Sequence, residues 1–279
     1  MIAASPWTFH AHLAVVPVVV LAVGGFALAV RRWGRLFHPH GRAVTAKQAT
    51  LYTLGVLTFL VSVGWPLHDL AERYLYSAHM VQHLLLGFVL PPLIYLGTPE
   101  WLARMVIGRG LLGRIYRRAS RPLIAAIAFN IALALIHWPA VVDFMLRSSL
   151  FHESIHLVFV VAAFLMWAPI CSPLPEVRRR MTPIAKMGYL FVQTILPTVP
   201  ASFLTFGEHP LYARYITFPR LFGLSPVDDM QLAGLIMKIG GGLLLWGIIA
   251  VMFFRWAALE DADVIPEVEL TPTRGSTTA

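Results

Sequence analysis

Two histidine pairs carry the spacing of metal ligands: His79-Met80-Val81-Gln82-His83 and His152-Glu153-Ser154-Ile155-His156. On an α-helix, residues i and i+4 share one face about a turn apart, so both imidazoles of a pair can reach one ion. Neutral imidazole suits copper, zinc, iron and nickel. His137, in His137-Trp138-Pro139, precedes the second pair by a short stretch. Helices that met at these points would gather five imidazoles. Met80, Met145, Met230 and Met237 offer thioethers that favour Cu(I), although methionine commonly serves as adaptable core filler. Adjacent helical residues diverge by about 100°, which turns Met80 away from the His79 face. Among the nearby acids, Asp69 beside His68 is a candidate for orienting an imidazole.

The elements that must position these residues are membrane helices. Of 279 residues, 58% are hydrophobic and only 13% charged, with a mean hydropathy of +0.71. Soluble domains carry about 25% charged residues. A bilayer core needs about 20 apolar residues per helix, and seven stretches qualify: Leu13–Val30, Gln48–Pro66, Ser77–Gly97, Pro122–Trp138, Glu153–Cys171, Met187–Phe206 and Met230–Phe254. The expected fold is therefore all-α, a polytopic bundle of seven transmembrane helices. It forms one domain over residues 1–259, followed by a polar, disordered cytoplasmic tail at 260–279.

Charge orients the bundle. Seventeen Lys and Arg residues fall in alternate connections and the tail, four fall in the others, and Lys238 lies inside the last span. The positive-inside rule then puts the N-terminus outside and the C-terminus in the cytoplasm. No Lys or Arg precedes Arg31, so the first span lacks the basic start of a signal peptide and reads as an uncleaved helix. The stretch Trp101–Arg121 mixes Leu, Ile and Tyr with Arg and belongs on the cytoplasmic lipid surface, interrupted by Gly108, Gly110 and Gly113.

On this topology nine of the eleven histidines lie near the outer face, and only His38 and His40 are cytoplasmic. Helix packing alone gives no reason for that bias. Cys171, the single cysteine, falls at the cytoplasmic end and supplies no outer thiolate. Lys238 lies about 12 Å into the seventh span, where a lysine costs about 2.5–3.5 kcal/mol. It either faces the interior, pairing with Asn130 or Gln193, or snorkels to the interface. Gly240, Gly241 and Gly242 permit close helix approach, and Pro91, Pro92, Pro197 and Pro200 are expected to kink spans three and six.

Several functions find no support. The net charge of +8 is confined to runs between spans, so nucleic acid is not an expected partner. The chain has no GxxxxGKS/T. Glu153-Ser154-Ile155-His156 matches one half of a di-iron carboxylate site, but the second Glu-x-x-His is missing.

Taken in order, several motifs resemble the multi-span CtaG family of cytochrome c oxidase assembly factors. They are Ser77-Ala78-His79-Met80-Val81-Gln82-His83 running to Pro91-Pro92 and Gly97-Thr98-Pro99, His137-Trp138-Pro139, and His152 with His156. Met166-Trp167-Ala168-Pro169-Ile170, with Pro173 and Pro175, and Asp229-Met230-Gln231-Leu232-Ala233-Gly234-Leu235-Ile236-Met237 complete the set. The resemblance covers about residues 50 to 255. It implies a multi-pass protein of the bacterial plasma membrane that assembles haem-copper oxidase and handles copper. The implied partners are cytochrome c oxidase subunits and membrane lipid, with no catalytic residue. Motif by motif, it carries over His79, His83, His137, His152 and His156 as metal ligands, with Asp229 and Met237 as lesser ones. Lys238 departs from the tryptophan expected in many relatives. Zinc or haem in place of copper stays open at this stage, as does a site shared across a homo-oligomer. Two rival readings are a haem- or metal-dependent membrane oxidoreductase, using His83 and His156 as axial ligands, and a metal-free structural partner of the oxidase.

Overall fold

Apolar runs bounded by Pro, Gly and Arg fold as helices throughout the described residues, and no strand occurs among them. The structure, a computed structural model, describes residues 7–13, 15–37 and 42–264. His38, His40 and residues 265–279 of the expected tail lie outside that set. Six helices are long and apolar enough to cross a bilayer: Val15–Phe37 (span 1), Ala46–Arg73 (span 2), Tyr76–Gly97 (span 3), Leu150–Cys171 (span 5), Pro183–Thr205 (span 6) and Pro226–Glu260 (span 7). Span 4, Pro122–Ile136, has 15 residues and qualifies only together with Leu111–Ala119, from which it is bent by 82°. Fifteen residues rise about 22 Å, short of the roughly 30 Å hydrocarbon core. The seven expected spans are thus six full-length helices and one bent pair.

Helix ends differ from expectation where charge is tolerated. Span 1 continues past Val30 through Arg31 and Arg32 to Phe37, with Arg35 in the last turn, where a cation suits the helix dipole. The last helix continues past Phe254 and Glu260 to Val264. Trp101–Arg121 folds as two short helices, Glu100–Ile107 and Leu111–Ala119, parted where Gly108 adopts a φ of +64°. Arg104 anchors the first through paired 3.0 Å bonds to Glu176, in the connection between spans 5 and 6.

Spans 3 and 5 form the centre, with 56% and 50% of their apolar windows buried against 6% for span 1. Span 1 is held from the side by the Phe26–Tyr52 stack and by Tyr52 donating its hydroxyl to the Ala22 carbonyl. In span 3, Leu85–Val89 is π-helical just before Pro91 and Pro92. Proline has no N–H, so Pro91 leaves the Gly87 carbonyl without its helical donor. The buried Trp167 indole of span 5 donates to that carbonyl at 2.9 Å. A Cβ at Gly87 would come within 2.8 Å of the Phe159 ring, so the two central spans touch at backbone distance. Trp167→Phe keeps an aromatic ring but leaves a small cavity and orphans the carbonyl. The expected cost is about 1–3 kcal/mol, read as a lower unfolding midpoint in a detergent thermal-shift series.

Span 6 breaks between Ile195 and Thr198, at Pro197. Span 7 turns π-helical at Ile236–Gly240, where Cβ atoms on Gly240 and Gly241 would meet Leu84 at 3.0 and 3.3 Å. Lys238 does not pair with Asn130 or Gln193. Those two bond to each other at 2.7 Å, and the exposed Lys238 ammonium lies 5.5 Å from the Phe206 ring centroid. Cation–π attraction and the open helix face replace the expected interior partner.

Candidate metal centre

Span 3 presents His79 and His83 from its first two turns, and its start is fixed by a residue 150 positions away. Asp229 of span 7 accepts the Tyr76 N–H at 2.7 Å, the Ser77 N–H at 3.1 Å and the Ser77 hydroxyl at 2.5 Å. A carboxylate here satisfies helix-end donors and complements the positive dipole end. Span 7 is itself started by a capping box between Ser225 and Asp228. Span 5 presents His152 and His156 one turn apart after Ser148, whose hydroxyl accepts the Phe151 N–H at 3.4 Å.

The connection between spans 6 and 7 closes over this end. Tyr212 donates to the His137 carbonyl at 3.0 Å and Tyr215 to the Ala71 carbonyl at 3.3 Å, and both rings contact Tyr76. Burial pushes the Tyr212 phenol up to about 12 and raises Tyr215 well above the ordinary range. Both therefore stay neutral donors at physiological pH.

Under that cover, ligand-capable nitrogens of His79, His83 and His156 all lie within 4.8 Å of one another. The His83 and His156 Nε2 atoms are 3.5 Å apart. Tetrahedral nitrogens around an ion at about 2.0–2.1 Å would sit about 3.3–3.4 Å apart, so small ring rotations would suffice. His79, His83, His137, His152 and His156 are all buried. Nδ1 of His79 and Nδ1 of His83 have no hydrogen-bond partner. Leaving a buried polar atom unpaired costs about 1–3 kcal/mol, which an ion bound at that nitrogen would offset. All three imidazoles of this group come from one chain.

His152 stands beside this group, with its Nε2 at 3.0 Å from the His156 Nε2. His137 donates Nδ1–H to the Leu133 carbonyl at 2.7 Å, which leaves Nε2 as the acceptor; that atom is buried and unpartnered. It lines a cavity of about 20 Å³ together with His83, Met80, Met237, Gln193 and Lys238, about the space of one water molecule. Met237 shares this small cavity with His83 and His137. Asp229 lies apart from the three-nitrogen group, its carboxylate engaged by the start of span 3. Asp69, the candidate for orienting an imidazole, accepts from His12 at 3.1 Å. His68 meets Gln82 at 3.1 Å and Glu72 at 3.3 Å. Glu72, one of the acids expected near the outer face, and His12 thus join the histidine cluster, although the sequence does not specify their partners. The i,i+4 spacing of His68 and Glu72 was the available signal for the first; nothing local marks the second.

Residues 24–258 match the family described as cytochrome c oxidase caa3 assembly factor. Among curated proteins, the chain is 29% identical over 269 residues to an uncharacterized protein of Mycobacterium bovis and, equally, to one of Mycobacterium tuberculosis. Each alignment covers 86% of this chain but only 38% of the relative, so the chain spans well under half the length of the curated proteins it matches. No solved structure gives a significant match. With most of its length matched and all but its ends included, the chain belongs to the cytochrome c oxidase caa3 assembly factor family.

Proposed function

We propose that the protein holds a copper ion on His79, His83 and His156 and passes it to a subunit of cytochrome c oxidase in the same membrane. The observation that carries this reading is the convergence of three buried imidazoles from two spans, two of them with an unpartnered nitrogen. An all-imidazole donor set fits copper and also accepts zinc. His152 and His137 flank the ion and orient its ligands or receive it during exchange. No bond-making chemistry is asked of the protein, in keeping with an assembly role and no enzymatic one. The basic asymmetry of the connections supports an N-terminus outside, a cytoplasmic C-terminus and a histidine end at the outer face of a bacterial plasma membrane.

The haem alternative fits less well. Axial imidazoles must be separated by a slot wide enough for the macrocycle, whereas the His83 and His156 nitrogens touch and His79 and His152 pack around them. The test is the metal content of detergent-purified protein, by mass spectrometry, after anaerobic loading with Cu(I) and separately with Zn(II). Stoichiometric copper that disappears in a folded His79→Ala/His83→Ala variant is the expected result. Copper no higher in the wild type than in that variant would overturn the reading.

A further inference from the structure

The three-imidazole group is buried, so an ion needs a route to it. Side-chain exposure falls from histidine to histidine along one line of ligand-type groups, His10 41%, His12 23%, His68 14% and His152 8%, with the carboxylates among them at 4% for Asp69 and 31% for Glu72. Each link in that line is a contact. His10 Nδ1 and His12 Nε2 lie 3.6 and 3.1 Å from the two oxygens of Asp69. The His12 and His68 rings meet edge to face with centroids 4.7 Å apart. One oxygen of Glu72 then bridges His68 Nε2 at 3.3 Å and His152 Nε2 at 3.5 Å. His152 touches His156, which is a member of the buried group.

We infer that His10, His12, Asp69, His68, Glu72 and His152 form an entry track along which a divalent copper ion is handed to His79, His83 and His156. The inference rests on the metal-holding role proposed for that group. Mixed imidazole and carboxylate donors accept a divalent first-row ion, and no fixed cage is present to retain it. Each hand-off makes one bond from nitrogen or oxygen to the ion and breaks another. The ion keeps its charge, and no electron is transferred. Asp69 also faces Arg73 at 3.8 Å, which offsets its charge. Glu72 is in salt-bridge range of imidazoles only, among the described residues, so its carboxylate is the stronger draw at the middle of the line. Span 1 and the segment before it thus gain a purpose that their peripheral packing does not require.

The experiment follows loading of the metal-stripped full chain in detergent with Cu(II) chloride. Samples are quenched at set times with a chelator, desalted and assayed for retained copper. His12→Gln, which keeps a donor for Asp69, and Glu72→Gln are compared with the wild type. His209→Ala, at an exposed residue outside the line, is the control. The track predicts the wild-type final copper content in both variants, reached about tenfold more slowly, with the control at the wild-type rate. Wild-type rates in both variants would overturn the track alone. Reduced final content at an unchanged rate would also overturn it, because those residues would then hold the ion at rest. No retained Cu(II) in a wild type that binds Cu(I) would overturn the divalent track alone, whereas failure to retain either ion would sink the metal-holding role itself, and the track with it.

Discussion

His156→Ala is expected to weaken copper binding by well over a hundredfold in chelator competition, while His152→Ala costs about 10–100-fold. The two residues share a helix face one turn apart, so composition and burial do not separate them. Geometry does. His156 offers a nitrogen to the same point as His79 and His83, whereas His152 contacts the His156 nitrogen from the side and is tied to Glu72. Removing His156 leaves two ligands from a single helix turn, a set that neither encloses the ion nor draws span 5 toward span 3. Removing His152 leaves all three ligands and loses a neighbour that restrains one of them. Equal losses in the two variants would mean that the ion sits between His152 and His156, outside the group of three, and would shift the site toward Glu72. His137→Ala adds a control on the far side, because its ring faces the cavity shared with His83. It should leave equilibrium affinity within about tenfold, below the range for a residue that restrains a ligand, because its hydrogen bond goes to the Leu133 carbonyl and not to another imidazole.

The sequence reveals some of this arrangement directly and conceals the rest for physical reasons. Long apolar runs mark membrane helices because the bilayer imposes a minimum length, and i,i+4 spacing is intrinsic to one helix. Both histidine pairs could therefore be placed at helix starts. Which imidazoles converge depends on helix rotation and on close approach at Gly87, Gly240 and Gly241, and these are decided between spans. Span 4 is short because Pro122 starts it abruptly after an 82° bend, a feature hydropathy averages away. Pro91 signals an interruption in span 3. That it becomes a π-helical turn, with its freed carbonyl taken by Trp167, follows from a residue 80 positions away. Lys238 stays on an exposed face near the Phe206 ring, while Asn130 donates to Gln193. The line from His10 to His152 needs the segment before span 1 to fold onto span 2, and no local pattern announces that.

Asp229 provides the sharpest separation between a ligand and a structural anchor. As a helix cap acting across the bundle, it accepts three hydrogen bonds from Tyr76 and Ser77 while itself buried. Asp229→Ala strips the start of span 3 of those acceptors and leaves two backbone N–H groups and a hydroxyl unpaired. The expected loss is about 2–4 kcal/mol, since bonds to a charged group contribute about 1.5–3 kcal/mol each and water can repair only part of the damage. Asp229→Asn keeps one acceptor oxygen but turns an amide toward a donor, so its loss should be about half as large. Both changes should lower the unfolding midpoint in detergent. Metal binding distinguishes the two roles. If Asp229 ligated the ion, the asparagine variant would lose copper while folding normally, because a carboxylate donor would be gone and little else. As an anchor, it should still load copper to the wild-type stoichiometry, with reduced stability and an affinity that falls only as far as the His79 and His83 turn loosens. A stable Asp229→Asn protein that binds no copper would return Asp229 to the ligand set and require span 3 to be held at its start by something other than this carboxylate.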